Sequence, residues 1–314
     1  MAESSARADL IGIVTVLYGS HDVVEGFFAS LALQSDVNFR LYVIDNSPTP
    51  ATLDLCRKLA ALHGIDSEFL FNDANVGVAR GNNQGIELAL RAGCAAVLLA
   101  NNDTEFAEGT LRQLVDVWRR GAMVVTPKLL YHGPERLIWF GGGRIDAWTV
   151  RTPHLGMREI DHGQYDTPSE TGYAPTCFLL VDADVFSRVG LMDEAYFVYY
   201  DDTDFIWRLR LADVRLRYEP AVVVQHKVST STGGGNSPFT IYYSNRNRIY
   251  FIRKNYMGLR KLAAISYILM TRLPNAAFMH SAIAAKLWQG VRDGFTMPIM
   301  TDGQPSRRCT ERKD

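Results

Sequence analysis

Short apolar runs alternate with amphipathic stretches through the first hundred residues. IGIVTVLY (11–18) reads as a buried strand and is followed by helical spacing through FFASLAL. RLYVIDN (40–46) predicts a second strand that ends in the turn chemistry of Ser-Pro-Thr-Pro. A helix around LDLCRKLAALHG closes at Gly64, and a short strand lies near EFLF. Residues 77–93 form a further helix ended by Gly93, and AAVLLANND (95–103) is another buried strand. Apolar strands alternating with helices predict an α/β protein, with a mostly parallel, Rossmann-like sheet covered by helices on both faces. Such sheets bind ligands at the carboxyl ends of their strands. The polar residues there are Tyr18, Asp45, Asn46, Asn101, Asn102 and Asp103.

The pattern loosens from about 120 to 175, where Gly, Pro and scattered aromatics (WFGGGRIDAW) predict irregular strands and loops. Regularity returns with TCFLLV as a strand, DADVFSRVG as a short helix and YDDTDFIWRLRLAD as a stronger one. RLRYEPAVVVQH (215–226) is again a strand, STSTGGGNSP a flexible loop, and the chain from about 239 is helical, basic and amphipathic. There are no internal repeats and no low-complexity segments.

Composition adds little until charge is followed along the chain. With 47% hydrophobic and 21% charged residues, the 314-residue chain is that of a soluble globular protein with a real core. Its net charge of −1 identifies no partner. Between Glu219 and Asp293, however, there is no acidic residue, while ten basic ones occur there. That window predicts an anionic partner: ligand phosphates, a membrane surface or nucleic acid. Nucleic acid is disfavoured because no recognised module accompanies the basic tail. The cysteines Cys56, Cys94, Cys177 and Cys309 form no CxxC pair, which argues against a zinc site or disulfide scaffold and fits a reducing cytoplasm. MAESSARADL lacks the apolar run of a signal peptide, and LAAISYILM soon meets Arg272 and Pro274, so no membrane span is expected.

Several strand-end residues carry candidate chemistry, each beside a plainer reading. Asp103 in LLANNDTEF is either an oxygen ligand for Mg²⁺ or Mn²⁺ or the cap of a helix beginning near Glu105. Asp45 in VIDNSPTP either accepts from a ribose hydroxyl or base N–H, or closes an Asx-turn. NDANVGVARGNNQG holds four Asn, three Gly and an Arg at the start of a helix, a place that favours close ligand approach and anions. It is neither a P-loop nor GxGxxG. His226 is a structural histidine, or a metal ligand if the sheet continues so as to bring it beside Asp103. In YFVYYDDTDFIWRLR, Asp201 reads as the N-cap of a helix and Asp204 as the acid of a capping box, which leaves Asp202 with less to do. Arg246 and Arg248 in SNRNR are either phosphate contacts or solvated surface charge.

The order of these motifs resembles the inverting, GT-A-fold glycosyltransferases of family 2, in their rhamnosyltransferase-like branch. The matching stretches are VTVLYGS, VIDNSPTP, NVGVARGNNQG, LLANNDT, YFVYYDDTDFIWRLR, QHKVSTSTGGG and YYSNRNRIYFIRKN, spread over roughly residues 10 to 255. The resemblance implies a catalytic domain over 1–256, with a nucleotide-binding half at about 10–120 and an acceptor half at about 121–256. Residues 257–314 then form a basic helical appendage. It implies that Asp45 binds the donor's base and that Asn75, Arg80 and Asn83 shape the nucleotide pocket, with Asn102 and Arg246 also on the nucleotide sugar. Asp103 matches the last acid of the family's DxD motif, which here reads Asn-Asn-Asp. His226 matches a histidine that completes the Mg²⁺ or Mn²⁺ site. Asp202 matches the general base, with Asp201 in place of the usual Glu.

The implied reaction moves a sugar, with L-rhamnose from dTDP-rhamnose as first choice and a UDP-sugar as second. The acceptor is a saccharide or polyprenyl-linked saccharide of cell-surface polysaccharide synthesis. An inverting transfer needs one base on the face opposite the leaving group, and a cation can neutralise the departing diphosphate. The glycine-rich loop at 229–238 reads as a lid or as a plain connection. The tail helices suit contact with the inner face of the plasma membrane, a homodimer interface, or packing on the catalytic domain. A sugar nucleotidyltransferase would need a Gly-rich basic loop after the first strand, which VTVLYGSHD does not offer. A noncatalytic nucleotide- or carbohydrate-binding module would leave the acid cluster without a purpose beyond capping.

Overall fold

Seven residues, IGIVTVL, form β1 (Ile11–Leu17), and almost all are buried because the strand is covered on both faces. The computed structural model describes residues 9–228, 237–277 and 280–300. After β1 come α1 (Val24–Ala32), β2 (Phe39–Asp45), α2 (Ala51–His63), β3 (Ser67–Phe71), α3 (Val78–Arg91) and β4 (Ala96–Ala100). The expected alternation holds, and the four strands lie parallel with β1 between β2 and β4. Gly64 ends α2 at φ 65°, a left-handed conformation that costs glycine little.

The next elements are β5 (Thr104–Phe106), α4 (Thr110–Arg119), β6 (Val124–Tyr131), β7 (Ile138–Phe140), β8 (Ser169–Thr171) and β9 (Phe178–Asp182). Then come α5 (Ala183–Val189), a 3-10 turn at Glu194–Tyr196, α6 (Asp201–Leu211) and β10 (Leu216–His226). The sheet order is β3-β2-β1-β4-β9-β6-β10-β5, with β7 on β6 and β8 on β10. Beyond β4 the sheet is mixed, since β9 runs antiparallel to both β4 and β6. The 120–175 region contains a long interior strand that the sequence pattern conceals. VVTPKLLY (β6) is interrupted by Pro127 and Lys128, yet nearly all of it is buried. Lys128 is tolerated there because its ammonium meets Asp161 at 2.9 Å and also Asp166.

The chain continues as α7 (Pro238–Asn255), α8 (Gly258–Ala277) and α9 (Ser281–Thr296). α9 lies close against α7 at two glycines. A Cβ at Gly290 would sit 2.5 Å from the Tyr242 carbonyl oxygen, and one at Gly294 equally close to that of Arg246. Arg253 adds hydrogen bonds to the carbonyls of Gly294 (2.9 Å) and Met297 (2.8 Å). α8 instead leaves Leu259, Leu262 and Met270 exposed, at 85%, 64% and 69%. No described helix is long and apolar enough to cross a membrane. Residues 229–236 of the glycine-rich loop lie outside the described residues; its last two belong to the start of α7, which Ser237 caps by accepting from the Thr240 amide.

Candidate active site

The carboxyl ends of β1, β4 and β10 open into a cleft of about 710 Å³. Asn75, Asn102, Asp103, Asp201, Asp202 and His226 all line it, though the last lies more than a hundred residues from the first. Tyr18, Asn46, Gly77, Trp139, Phe197 and Tyr199 also line it.

Asp103 is not a helix cap. Thr104 begins β5, and α4 starts only at Thr110. β5 pairs antiparallel with β10 in a register that sets Thr104 opposite His226, so the sheet itself carries the histidine to the carboxylate. Nε2 of His226 lies 3.1 Å from Oδ1 of Asp103. The approach is off the line of an N–H hydrogen bond, and both this Oδ1 and Nδ1 of His226 are buried without a hydrogen-bond partner. Unsatisfied buried ligand atoms are costly and fit a cation site. Burial works against a charge on His226, but Cys177 and Asp103 outweigh it and lift the ring to about 10, so a cation there would displace a proton. Among the described residues no group of three His, Cys, Asp or Glu could hold a metal. A cation at this point would find only one carboxylate and one imidazole from the described residues.

The lead-in to α6 is strained. Phe197, Tyr199 and Tyr200 have φ of 65°, 61° and 67°, values that bulky residues rarely adopt. Each such residue costs on the order of 1–3 kcal/mol and persists only where its surroundings enforce it. The enforcement comes from α7. Asn247, fully buried, donates from Nδ2 to the carbonyls of Tyr196 (2.9 Å), Val198 (2.7 Å) and Tyr199 (2.9 Å). Arg246 donates to the carbonyls of Ala195 (2.8 Å) and Tyr196 (2.7 Å) and braces Asn247 at 2.7 Å. From the other side the Val78 amide donates to the Phe197 carbonyl at 2.6 Å. Gly77, at φ 88°, leaves no room there for a Cβ, which would meet Phe197 at 2.6 Å.

Two capping expectations change in this setting. The N-cap of α6 is Tyr200, with no side-chain cap, and Asp201 is the first helical residue. Asp204 is no capping-box acid. It is fully buried, pairs with Arg208 and Lys254 at 2.9 Å each, and accepts from Tyr196 (3.1 Å) and Asn255 (3.0 Å). Burial would raise its carboxyl, but the two cations hold it below the usual range. Tertiary cations thus claim a carboxylate whose helix position alone suggested a local role.

Asp202 is half-buried, with both oxygens engaged. Oδ2 accepts from the Tyr173 hydroxyl, and Oδ1 from the Thr203 amide (2.5 Å) and hydroxyl (3.0 Å). Burial and the adjacent carboxylate push the Tyr173 phenol well above its ordinary range, so it remains a donor. Tyr173 stacks on His154, which meets the edge of Trp139, and Trp139 in turn packs on His226 at 4.6 Å between ring centroids. Burial and the charge of Asp202 push Asp201 up to about 8, so near neutral pH it keeps its proton. Asp202 and Tyr199 also line a second cavity, of about 380 Å³. Tyr173, Trp139, His154 and Asn247 were not among the predicted residues. The first three sit in the Gly-rich stretch with no periodicity, and only the aromatic content of WFGGGRIDAW hinted at them.

Of the remaining predicted residues, Asn75 and Asn102 stay in the cleft lining, while Asp45, Arg80, Asn83 and Arg246 lie outside it. Asp45 is fully buried at the end of β2; Oδ1 closes an Asx-turn with the Ser47 amide at 2.8 Å, while Oδ2 has no partner. Asn75 turns the loop by accepting from the Gly77 amide at 3.0 Å. Asn102 is anchored to the Val16 carbonyl at 2.7 Å. Asn83 does not line the cleft: its amide clamps Met192 through both main-chain groups at 2.9 Å each. Arg80 is 56% exposed and 3.9 Å from Glu194. Arg246 likewise stays behind the strained segment, outside the lining.

The geometry defines an α/β protein with a polar, acid-bearing cleft at its strand ends, and comparison with known proteins gives that class its family. The family model "Glycosyl transferase family 2" matches residues 12–189, and the chain belongs to that family. It is a glycosyltransferase with the GT-A fold. It is 22% identical over 276 residues to the low-salt glycan biosynthesis hexosyltransferase Agl10 of Haloferax volcanii, covering 84% of this chain and 82% of that one. It is 27% identical over 244 residues to the N-acetylglucosaminyl-diphospho-decaprenol L-rhamnosyltransferase of Mycobacterium tuberculosis, covering 72% and 78%. Among solved structures, the mannosyltransferase PcManGT of Pyrobaculum calidifontis, in complex with GDP-Man and Mn²⁺, superposes with a TM-score of 0.55 at 14% identity. That match covers 91% of this chain and 87% of the other.

Proposed function

We propose that the chain transfers L-rhamnose from dTDP-rhamnose, with inversion, to a hydroxyl of a saccharide carried on a polyprenyl diphosphate. A UDP-sugar is the second-ranked donor. The observation that carries this reading is the position of Asp202, which lines both the strand-end cleft and the second cavity. A base for inverting transfer belongs between donor and acceptor, opposite the leaving group. The rhamnosyl and lipid-diphosphate parts rest on the named activity of the mycobacterial relative.

Asp202 takes the proton of the acceptor hydroxyl as its oxygen bonds to the anomeric carbon and the bond to the diphosphate breaks. Tyr173 and the Thr203 amide fix the carboxylate's orientation. Asp201, protonated, spares the site a second negative charge beside the base. Asp103 and His226 would hold Mg²⁺ or Mn²⁺, which would supply charge neutralisation for the departing nucleoside diphosphate; the Mn²⁺ named with the Pyrobaculum neighbour supports this. Asn75 and Asn102, in the cleft lining, flank the nucleotide sugar, and Asp45, buried at the end of β2 outside that lining with its Oδ2 unpartnered, is assigned to the donor's base.

The exposed Leu259, Leu262 and Met270 of α8, beside Arg260 and Lys261, favour peripheral contact with an anionic inner membrane face over a homodimer. Flotation of the full chain with anionic vesicles supports that contact; a dimer that does not float contradicts it. The transfer itself is tested by a donor screen read as nucleoside diphosphate release, with and without Mn²⁺. Metal-dependent release from dTDP-rhamnose is expected, and no response to any nucleotide sugar would leave a noncatalytic binding module.

A further inference from the structure

The second cavity has its own chemistry. Arg151, Arg248 and Arg272 line it together with Tyr173, Tyr199 and Tyr200, and among the described residues Asp202 is the only acid in its lining. Arg248 is 3% exposed, donates from Nη2 to the Thr149 carbonyl, and keeps a buried Nε without a partner. Nε of Arg272 is likewise buried and unpartnered. Burial pushes both guanidinium groups down, and Arg151 pushes in the same direction on each. Three cations thus converge on one small space, with donors left unsatisfied. A desolvated, unpaired guanidinium is costly unless an anion completes it. Arginine's planar fork suits phosphate oxygens in particular.

The cavity's position says which phosphate. On the proposed reading the donor's diphosphate belongs with Asp103 and His226 in the cleft; the second cavity shares Asp202 with that cleft but has neither of those two residues in its lining. An inverting transfer requires the acceptor on the face away from that leaving group. We propose that the second cavity is an acceptor subsite in which Arg151, Arg248 and Arg272 grip a phosphate or diphosphate attached to the acceptor sugar. The assignment rests on the reading of Asp202 as the base. Arg272 lies on α8, whose exposed apolar residues face solvent nearby along the same helix, so a prenyl chain leaving the diphosphate has an apolar surface at hand. A volume of about 380 Å³ is enough for a compact ligand.

The test uses the full chain in EDTA, which silences a metal-dependent donor site, with inorganic pyrophosphate and farnesyl diphosphate as calorimetric probes. Pyrophosphate is expected to bind the unmodified protein and to lose at least tenfold in affinity in Arg151→Gln/Arg272→Gln. Asp103→Asn is expected to bind it within about twofold of the unmodified protein. Arg248 is left intact because it also holds the Thr149 carbonyl. The single substitutions, each expected to cost several-fold, keep the test open if the double variant misfolds. Tighter binding of farnesyl diphosphate than of pyrophosphate assigns the anion to a lipid headgroup; equal binding assigns the site to the phosphate alone. Pyrophosphate binding that is absent, or unchanged by the arginine substitutions, overturns the subsite. Binding of dTDP with Mn²⁺, measured on the same variants, separates the two readings. If dTDP binds while pyrophosphate does not respond to the arginines, only the subsite falls; if dTDP binds no variant and not the unmodified protein, the glycosyl-transfer reading falls.

Discussion

The hydroxyl of Tyr173 donates to Oδ2 of Asp202, joining the irregular 120–175 region to the first turn of α6. A hydrogen bond to a charged group is worth about 1.5–3 kcal/mol, more than a neutral one. Tyr173→Phe should therefore lower kcat by roughly 10- to 100-fold. Nucleotide affinity should stay within about twofold, because the phenol does not line the donor cleft. Equal losses in kcat and nucleotide affinity would show that Tyr173 merely supports the fold.

Asp201 gives the protein a pH-dependent weakness. Its carboxyl titrates at about 8 in the folded chain against the ordinary 3.8, so folding favours the protonated form. That contribution is complete below about pH 4 and disappears as pH rises through 8. Asp201→Asn, which keeps a neutral side chain at every pH, should have a Tm close to the unmodified protein's at pH 4. It should exceed it by roughly 5 °C or more at pH 8. A difference that does not grow with pH would contradict the assignment.

Asn247 holds the strained approach to the base. Removing its carboxamide leaves the carbonyls of Tyr196, Val198 and Tyr199 without that donor. Asn247→Ala should cost about 2–4 kcal/mol and lower Tm by roughly 5 °C or more. Amide exchange should accelerate first at residues 197–203, and unchanged protection there would count against this role.

The strands before residue 103 were legible because each is a short apolar run punctuated by Gly, Pro or Asn, the mark that parallel strands buried on both faces leave, as β1, β2 and β4 are. β6 was not legible, since Lys128 breaks its apolar run and only Asp161 and Asp166, more than thirty residues on, make the lysine acceptable. The same division runs through the site. Asp103, Asp202 and His226 stand beside recognisable strand or helix ends, so their candidacy could be read locally. Asn83 and Arg246 belong to equally suggestive motifs, yet tertiary contacts direct them to Met192 and to the carbonyls before α6. Tyr173 and Asn247 act through partners 29 and 48–51 residues distant, and no local pattern signals such pairs.

The central claim is that Asp202 is the base, and a single substitution tests it most directly. Asp202→Asn preserves shape and removes the proton acceptor. With dTDP-rhamnose, Mn²⁺ and a prenyl-diphosphate-linked saccharide, transfer should fall by about 10³-fold or more. Affinity for dTDP with Mn²⁺ should remain within about twofold of the unmodified protein. An Asp202→Asn protein that still transfers sugar at a comparable rate would contradict the account.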